Sequence, residues 1–379
     1  MARKDLAQAQ NAKKDEFYTQ LSDIEKELVH YRDYFRDKVI FCNCDDPYES
    51  NFFKYFALNF NALGLKKLIA TCYDGSPIAQ QELPLFEEAE TEPKPKAYKV
   101  EISEVPDLDG NGSTDLTDVQ LLLKSSDHNV KAELKQNGSF DSPESIELLK
   151  EADIVVTNPP FSLFREFLAL LDKYNKQFII IGNTNALTYK ETFKMFQEDK
   201  IRTGYTNFNV GMYFQVPDSW EKFHHIENGK KMARVSTSCW FTNLPVSKHN
   251  EELILIKHYT PEEYPKYDNY DAINVNTYTD IPCDFEGAMG VPITFLDKFN
   301  PNQFELIGLG NSRENFTPTK DYINAKKVLK DGKIVNGNAI NCVLAIKRED
   351  RPIGEIYYTS DNTPFLVAPY ARILIRKKQ

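Results

Sequence analysis

A turn of four residues, Asn158-Pro159-Pro160-Phe161, combines groups that could hold a planar amine. Proline lacks a backbone N–H, so two consecutive prolines make the turn rigid and leave carbonyl groups available as acceptors. The Asn158 amide oxygen beside such a carbonyl would form a pair of acceptors that matches the two hydrogens of an NH2 group. Phe161 would offer a flat apolar face for stacking. The alternative interpretation is an ordinary proline-rich turn.

The segments around this turn predict a strand before it and an amphipathic helix after it. Residues 153–157 form an apolar run, and residues 162–171 have helical periodicity. Upstream, apolar strands at 38–44 and 67–73 flank a helix at 50–63. This alternation predicts a parallel sheet, in which ligands bind outside the carboxyl ends of the strands. The turn follows such an end, which favours a functional site.

The same alternation continues on both sides of this core. We predict one more helix upstream, at residues 23–35, and a strand and a helix downstream, at 177–182 and 189–198. Two later apolar segments are separated by a hairpin whose turn we place at Asn228-Gly229. The apolar segments cover residues 209–216 and 238–244.

Two stretches break the pattern. Residues from about 74 to 135 are rich in Pro and Glu, and we predict an insertion at the edge of the sheet. Beyond about residue 245 the pattern becomes irregular, with many Tyr, Asn and Pro residues, which suggests a separate lobe. The sequence therefore predicts one domain at 1–245 and a second region at 246–379.

Composition predicts a globular protein that stays out of membranes. The chain has 379 residues, of which 41% are hydrophobic and 27% charged. It has no apolar run long enough to cross a bilayer and no signal peptide, so we expect a cytoplasmic location. The six cysteines lack zinc-site spacing, and we interpret them as small core residues in a reducing compartment.

The net charge of the chain argues against binding to nucleic acid, but the uneven distribution of charge weakens this argument. A net charge of −10 disfavours binding to phosphates over the whole chain. Residues 81–118, however, hold eleven acidic and three basic residues, whereas residues 320–379 hold twelve basic and six acidic ones. The C-terminal part is therefore basic, and a local groove there could still attract DNA.

Polar residues also follow the first strand of the predicted sheet. Asn43, Asp45 and Asp46 would lie at its carboxyl end, where carboxylates suit ribose hydroxyls or an ammonium group. A nucleoside-like cofactor beside a turn that holds an amine suggests group transfer to that amine. The alternative role for the two aspartates is helix capping and compensation of the helix dipole.

The turn resembles the catalytic signature of amino-methyltransferases that use S-adenosylmethionine. Longer segments are similar to the EcoRI DNA adenine-N6 methyltransferase family, a γ-ordered group. The resemblance implies a fold of the α/β class, with a Rossmann-like S-adenosylmethionine-dependent methyltransferase sheet, helices on both its faces and an irregular target-recognition region at 246–379. The segments that carry it are 14–20, 42–47, 50–56, 153–164, 264–275 and 289–296.

The resemblance implies methyl transfer to N6 of an adenine that has left the duplex. Asn158 and the carbonyl group of Pro159 would accept from the N6 hydrogens, Pro160 would keep the turn rigid, and Phe161 would stack on the base. The partner would be double-stranded DNA. The enzyme would belong to a restriction–modification or orphan system, in the first case with a cognate restriction endonuclease that acts on the same site.

The resemblance also implies residues for the cofactor. Phe17, Tyr18 and Thr19 would line its methionine end, and Asp45 or Asp46 would contact its ammonium group or ribose. Asn43 would lie in the same crevice. Asp141, after Gly138-Ser139-Phe140, would approach the cofactor adenine. The usual G-x-G motif is absent, and Tyr48-Glu49-Ser50 stands at its position.

Residues 107–118 match the template of a calcium-binding EF-hand loop, with glycine at its sixth position. The predicted Ca²⁺ would be structural rather than catalytic. The alternative is an acidic turn in which Asn and Gly supply left-handed conformations. The candidate ligands are Asp107, Asp109, Asn111, Asp115 and Asp118.

Other interpretations stay open. The turn would also suit an RNA base or a protein glutamine, and an inactive DNA-binding relative is a third alternative. Trp240-Phe241 would lie near the target base or in the core. Candidate readers of base edges are Asn269, Asn274, Arg313 and Arg372.

Overall fold

The computed structural model describes residues 18–44, 47, 50–72, 97–124, 131–208, 210–216, 220–221, 223–227, 229–311 and 316–378. Phe17, Asp45, Asp46 and Arg313 lie outside the described residues, as does the side chain of Tyr18.

The chain divides into two compact units, each described by itself below. The first unit comprises Met1–Ala186 and Thr203–Val246, and the second comprises Leu187–Arg202 and Ser247–Gln379. Residues 187–202 therefore group with the C-terminal part of the chain.

Seven α-helices are described in the first unit and one in the second. They are α1 (Leu21–Leu28), α2 (Arg32–Phe35), α3 (Asn51–Leu58), α4 (Phe60–Leu63), α5 (Leu116–Lys124), α6 (Pro143–Glu151), α7 (Phe164–Lys173) and α8 (Lys190–Gln197). No helix in the described part of the chain is long and apolar enough to cross a membrane.

The strands up to residue 242 form two sheets. They are β1 (Tyr18–Thr19), β2 (Val39–Cys42), β3 (Lys67–Cys72), β4 (Tyr98–Ile102), β5 (Lys131–Glu133), β6 (Ile154–Thr157), β7 (Gln177–Asn183), β8 (Arg202–Thr203), β9 (Met212–Val216), β10 (His225–Glu227), β11 (Lys230–Val235) and β12 (Ser238–Thr242).

The larger sheet has the order β5-β4-β3-β2-β6-β7-β12-β8. Its centre is parallel, because β2 pairs in parallel with β3 and β6, and β6 with β7. Every residue of β2 and β6 is buried, as expected for strands covered on both faces of a sheet. The prediction of a parallel sheet in a mixed α/β protein is therefore confirmed.

The described part of the predicted insertion extends this sheet at one edge. Strand β4 pairs antiparallel with β3, and β5 pairs antiparallel with β4. The alternating burial of β4 fits a strand that is covered on one face. Its position at the sheet edge agrees with the prediction.

The smaller sheet of the first unit has the order β1-β9-β11-β10. Strands β10 and β11 form the predicted hairpin, in which Glu227 pairs with Lys230 across a two-residue turn. Gly229 takes a φ of +79°, which glycine adopts without the steric cost that other residues meet there.

The helix predicted at 23–35 is interrupted. Ile24, Leu28, Tyr31 and Phe35 are fully buried, as their spacing predicts. A 3₁₀ turn at Val29–Tyr31 separates α1 from α2, so the apolar face is kept while the helix is not continuous. The helix predicted at 50–63 is likewise divided into α3 and α4.

The second unit is more regular than the sequence predicts. The strands from residue 273 onward form two sheets, with the orders β13-β14-β21-β15 and β17-β16-β19-β20-β18. They are β13 (Ile273–Asn274), β14 (Met289–Pro292), β15 (Phe304–Leu309), β16 (Lys326–Val328), β17 (Ile334–Asn336), β18 (Ile346–Lys347), β19 (Tyr357–Ser360), β20 (Thr363–Val367) and β21 (Arg372–Lys377). Many of these strands have only two to four residues, too few for a clear alternating pattern.

Candidate active site

The Asn158–Phe161 turn leaves the carboxyl end of β6, in the parallel centre of the larger sheet. Pro159 and Phe161 are buried, and Asn158 and Pro160 are half-buried. A 3₁₀ turn at Phe161–Leu163 leads into α7, closed by a hydrogen bond from the Leu163 N–H to the Pro160 carbonyl at 2.9 Å. The helix therefore begins two residues later than predicted, and the Pro160 carbonyl is engaged in the turn.

A glycine on the neighbouring strand lets α7 approach the sheet. A Cβ atom on Gly182 of β7 would lie 2.4 Å from a ring carbon of Phe164, the first residue of α7. That distance is too short for any side chain, so only glycine leaves room for the Phe164 ring. This close contact positions the helix that follows the turn.

Asn43 lies at the carboxyl end of β2, between the two strands that pair with β2. Its Oδ1 accepts a hydrogen bond from Thr71 Oγ1 of β3 at 3.0 Å. Its backbone carbonyl accepts one from Thr157 Oγ1 of β6. All three residues are fully buried. The bonds fix Asn43 beside Thr157, the residue that precedes Asn158. The two asparagines that the sequence predicts as site residues therefore lie at the carboxyl ends of neighbouring strands.

The remaining polar atom of the Asn43 side chain has no partner. Its Nδ2 is buried, and no acceptor lies within hydrogen-bond distance in the part of the chain that the structure describes. A buried NH2 group without an acceptor is costly, because it loses its hydrogen bonds to water. Such an atom suits a ligand that brings its own acceptors.

Thr19, the last residue of β1, has the same feature. It is 3% exposed, and its Oγ1 is buried without a partner among the described residues. Its carbonyl accepts a hydrogen bond from Asn51 Nδ2 at 2.7 Å. Asn51 begins α3, which Ser50 caps through its Oγ and the N–H groups of Phe52 and Phe53. This contact ties β1 to the N-terminus of α3.

An aromatic contact brings Thr19 close to the turn. Thr19 pairs across the smaller sheet with Phe214 of β9. The Phe214 ring meets the Phe161 ring edge to face, with centroids 6.3 Å apart. Thr19, Asn43 and the turn therefore border one region of the first unit. Among the described residues, the groups so assembled are amides, hydroxyls, backbone atoms and aromatic rings.

Asp141 is placed at the start of α6. It is exposed and accepts a hydrogen bond from Ser139 Oγ at 2.5 Å, just before Ser142 caps the helix. The adjacent Phe140 packs edge to face on Phe167 of α7, with ring centroids 5.2 Å apart. This contact places the loop beside the helix that follows the turn, and a cofactor contact by Asp141 stays a prediction.

The structure places two other groups of candidates in the interior. Trp240 and Phe241 are at most 1% exposed, and Trp240 packs against Phe52. This favours the core interpretation over contact with a base. Asn269 is fully buried, and its amide is bonded to backbone atoms of Val343 and Ala345.

Asn274 and Arg372 are also poor candidates for reading bases. They are 4% and 9% exposed, and Asn274 Oδ1 accepts from Arg372 Nε at 3.1 Å and from the Tyr267 hydroxyl at 2.8 Å. These side chains hold the second unit together. The prediction that Asn269, Asn274 and Arg372 read base edges is therefore wrong, and Arg313 lies outside the described residues.

The acidic loop at 107–118 is organised by its own backbone. The Asp118 carboxylate, which is fully buried, accepts from the N–H groups of Leu108, Asp109 and Asp115. The Asp107 carboxylate accepts from the N–H groups of residues 110, 111 and 112. These bonds account for the loop conformation without a cation, so Ca²⁺ at Asp107, Asp109, Asn111, Asp115 and Asp118 stays a prediction.

Sequence reasoning missed the residues that position the site. Thr71, Thr157, Asn51 and Phe214 contact the predicted residues, but each stands in an ordinary strand or helix sequence. Their roles depend on pairs far apart in the chain, such as Thr71 with Asn43. The one local signal is a threonine within the last two residues of a buried strand, in both β3 and β6.

The sequence is similar to known proteins over most of its length. A family model described as adenine-specific methyltransferase EcoRI matches residues 5–378. The Type II methyltransferase M.EcoRI of Escherichia coli is 48% identical over 308 residues, which cover 80% of this chain and 88% of the relative. The Type II methyltransferase M.MgeORF184P of Mycoplasma genitalium is 38% identical over 349 residues, which cover 90% and 98%. No solved structure gives a significant match.

Proposed function

The chain belongs to the adenine-specific methyltransferase EcoRI family, and from this we propose that the Asn158–Phe161 turn is where its reaction takes place. The protein is a site-specific DNA methyltransferase of the restriction–modification type that acts on adenine. The observation that carries the proposed site is that Asn43 and, through Phe214, Thr19 are both held next to the turn at the carboxyl end of β6.

The turn would select and orient the amine. Asn158 Oδ1 and the Pro159 carbonyl accept from the two N6 hydrogens and draw the lone pair out of conjugation with the ring. The Pro160 carbonyl is used by Leu163, which keeps the turn in one conformation. Phe161, held by Phe214, stacks on an adenine flipped out of the duplex. Positioning and electrostatics therefore supply the rate enhancement.

The cofactor would lie against the unpaired side-chain groups of Asn43 and Thr19. S-adenosylmethionine, when bound, supplies a methyl group already activated on a sulfonium sulfur. Its ribose and carboxylate oxygens offer the acceptor that Asn43 Nδ2 lacks, and Thr19 Oγ1 completes the contact. The partial positive charge at the N-terminus of α3 favours an anionic group nearby. We therefore propose that the larger sheet is the Rossmann-like cofactor-binding sheet of this enzyme class, with helices on both its faces, in a catalytic domain at 1–245.

The second unit would bind the DNA backbone through its basic sheet. Lys326, Lys330 and Lys333 are exposed on or beside the β16–β17 hairpin. Hydrogen bonds from Leu329 N to Lys333 O and from Gly332 N to Leu329 O, both at 2.9 Å, fix the turn of this hairpin. A rigid ribbon with Lys330 and Lys333 at its turn and Lys326 at its other end suits contact with phosphates. We propose this surface as part of the target-recognition region at 246–379.

The reaction is tested by Asn158→Ala in the full-length protein expressed in cells. We expect N6-methyladenine at one sequence with the wild-type protein and a loss of about a hundredfold to a thousandfold with the variant, as for removal of a transition-state interaction. Asn302→Ala, at an exposed position in the second unit, is the matched control. Wild-type activity in Asn158→Ala would refute the proposed role of the turn.

The same experiment distinguishes the alternatives. Methyl incorporation into RNA or protein but not into DNA would indicate another planar amine as substrate. A folded wild-type protein without methyl transfer and without a thermal shift on addition of S-adenosylmethionine would indicate an inactive relative. A cognate restriction endonuclease stays a prediction. Because the substrate is DNA, the cytoplasm remains the compartment that we predict.

The DNA surface is tested by the salt dependence of binding. Replacing Lys326, Lys330 and Lys333 with Gln should reduce the slope of log affinity against log salt by about 0.9 for each phosphate that the protein no longer neutralises. Lys266→Gln, an exposed lysine elsewhere in the second unit, should leave the slope unchanged. An unchanged slope in the triple variant would exclude this hairpin from the interface.

A further inference from the structure

Three side chains of types that bind metal ions converge in the second unit. His258 Nδ1 lies 3.0 Å from Asp284 Oδ2 and 3.8 Å from Cys283 Sγ. The three candidate ligand atoms all lie within 4.8 Å of one another. His258 and Cys283 stand 25 positions apart in the chain, so the spacing of the cysteines did not indicate a metal site.

We propose that His258, Cys283 and Asp284 bind a divalent cation of the zinc type. Zn²⁺ takes nitrogen, sulfur and oxygen ligands in tetrahedral geometry, with bonds of about 2.0–2.3 Å that separate neighbouring ligand atoms by about 3.3–3.6 Å. The two distances from Nδ1 lie on either side of that range, so small side-chain rotations would complete the site. The thiolate selects against Ca²⁺ and Mg²⁺, which prefer oxygen ligands.

The arrangement differs from a catalytic Cys–His–Asp triad. In a triad the thiol and the carboxylate contact opposite nitrogens of the imidazole ring. Here the sulfur and the carboxylate oxygen face the same nitrogen, Nδ1. A simple ion pair between His258 and Asp284 would not require the sulfur. Convergence of three ligand types on one point is what a metal ion requires.

Neighbouring backbone groups hold the ligands in place. The Tyr259 N–H donates to Asp284 Oδ1 at 2.8 Å, which leaves Oδ2 facing His258. The Cys283 N–H donates to the Lys257 carbonyl at 2.8 Å, and Lys377 Nζ donates to the Cys283 carbonyl. Such contacts around a site orient the ligands and strengthen metal binding.

Metal binding requires deprotonated ligand atoms. Metal binding would release the Cys283 thiol proton to solvent, and His258 would bind through Nδ1 as a neutral imidazole that carries its one ring proton on Nε2. His258 and Asp284 are exposed, so water can occupy the fourth coordination position.

The surrounding chain explains what a metal ion would do there. Residues 251–272 contain no helix or strand, and one β-bridge, Lys257 to Pro282, joins the two ligand-bearing segments. Tyr259 and Phe285 pack beside the site with ring centroids 4.8 Å apart. Segments without regular structure have few backbone hydrogen bonds to offset the loss of conformational entropy on folding. A metal ion bound by both segments would stabilise their contact.

Titration of the full-length protein with Co²⁺ tests the proposal. We expect one equivalent to bind with the near-ultraviolet absorption of a thiolate-to-cobalt bond, and Zn²⁺ to displace it. Cys283→Ser should abolish this band, and His258→Ala should weaken binding at least about tenfold. The melting temperature of the wild-type protein should rise with Zn²⁺ and that of Cys283→Ser should not.

Two control variants make the result specific. Cys342→Ser removes another half-buried thiol of the same unit and should keep the band. Asp107→Ala removes oxygen ligands in the acidic loop and should also keep it, since that loop has no thiolate. A missing band in the wild-type protein, a band that persists in Cys283→Ser, or equal loss in Cys342→Ser would overturn the proposal.

Discussion

Buried asparagines occur in both units, but their amide groups are used differently. In the second unit, Asn269 donates from Nδ2 to the Val343 carbonyl at 2.8 Å and accepts from the Ala345 N–H at 2.9 Å. In the first unit, Asn43 accepts from Thr71, whereas its Nδ2 has no acceptor among the described residues. Both side chains are fully buried.

The difference separates a structural amide from the amide that we propose as a contact to the cofactor. A buried amide whose donor and acceptor are both bonded contributes to stability, because no polar group loses its partners on folding. A buried amide with an unused donor costs stability, and it persists where a function requires it. Four substitutions of asparagine test this distinction.

The largest effect is expected in the second unit, at Asn269. Asn269→Leu keeps the approximate shape of the side chain but leaves the Val343 carbonyl and the Ala345 N–H without partners. Each unpaired buried group costs about 1–3 kcal/mol, so we expect a loss of about 2–5 kcal/mol in the free energy of unfolding. Urea denaturation measures it, with the exposed Asn302→Leu as control. A loss below that of the control would contradict the structural role.

The next effect is expected at Asn43, and it should affect cofactor binding more than stability. Asn43→Leu removes an unpaired donor and leaves Thr71 Oγ1 without its acceptor, so the two changes in stability oppose each other. Loss of a hydrogen bond to a charged cofactor group should cost about 1.5–3 kcal/mol, or roughly a tenfold to hundredfold increase in the Kd of S-adenosylmethionine.

A second variant separates the two effects at Asn43. Adding Thr71→Val to Asn43→Leu removes the hydroxyl that has lost its acceptor, and should raise stability without restoring cofactor affinity. Calorimetry with S-adenosylmethionine and urea denaturation report the two quantities independently. If affinity returns together with stability, Asn43 serves only to position the strand ends.

The sequence predicted the parts of the fold that local patterns encode. Continuous apolar runs predicted β2, β3, β6 and β7, because strands buried on both faces lack polar positions. The Asn158–Phe161 turn was placed correctly, since the prolines and the strand before it are adjacent in the chain. In the second unit, strands as short as β13 and β18 carry too few residues for periodicity, and the region was predicted to be irregular.

Sequence alone could not distinguish the asparagines. Asn269 and Asn274 were interpreted as readers of DNA bases, but the partners that satisfy their amides lie up to 98 positions away. Only three-dimensional pairing shows whether an amide is already bonded. The same limit hid the hydrogen bond of Thr71 with Asn43, and the meeting of His258 with Cys283.

A smaller effect is expected at Asn158, where the proposed mechanism uses an acceptor rather than a donor. Asn158→Asp keeps an oxygen at the position that accepts from N6, so we expect kcat within about tenfold of the wild-type value. This corresponds to a rise of less than about 1.4 kcal/mol in the activation free energy. Asn158→Ala removes the acceptor and is the matched comparison. Single-turnover methylation of a duplex measures both variants. Equal loss in the two variants would show that the amide NH2 group is required.

The smallest effect is expected at Asn274, where a carboxylate would meet a cation. Burial lowers the pKa of the Arg372 guanidinium, although its contact with Tyr267 opposes this, and the group stays protonated at neutral pH. In Asn274→Asp the new carboxylate would accept from Arg372 and from the Tyr267 hydroxyl, whose pKa burial raises. Loss of the hydrogen bond from Asn274 Nδ2 to Asn276 opposes this gain. We therefore expect the free energy of unfolding to change by less than about 1 kcal/mol.

The pH dependence of the stability of Asn274→Asp tests why its free energy of unfolding changes so little. Arg372 should hold the pKa of the new carboxyl in the folded protein below its value in the unfolded chain. Its stabilising contribution is then present above about pH 4 and is lost as the pH falls through the folded-state pKa. Combining Asn274→Asp with Arg372→Gln should turn the small effect into a loss of about 3–5 kcal/mol at pH 7, because the buried carboxylate would lack its cation. If the double variant is as stable as Arg372→Gln alone, the Asn274 amide is not in the closed network that sets it apart from Asn43.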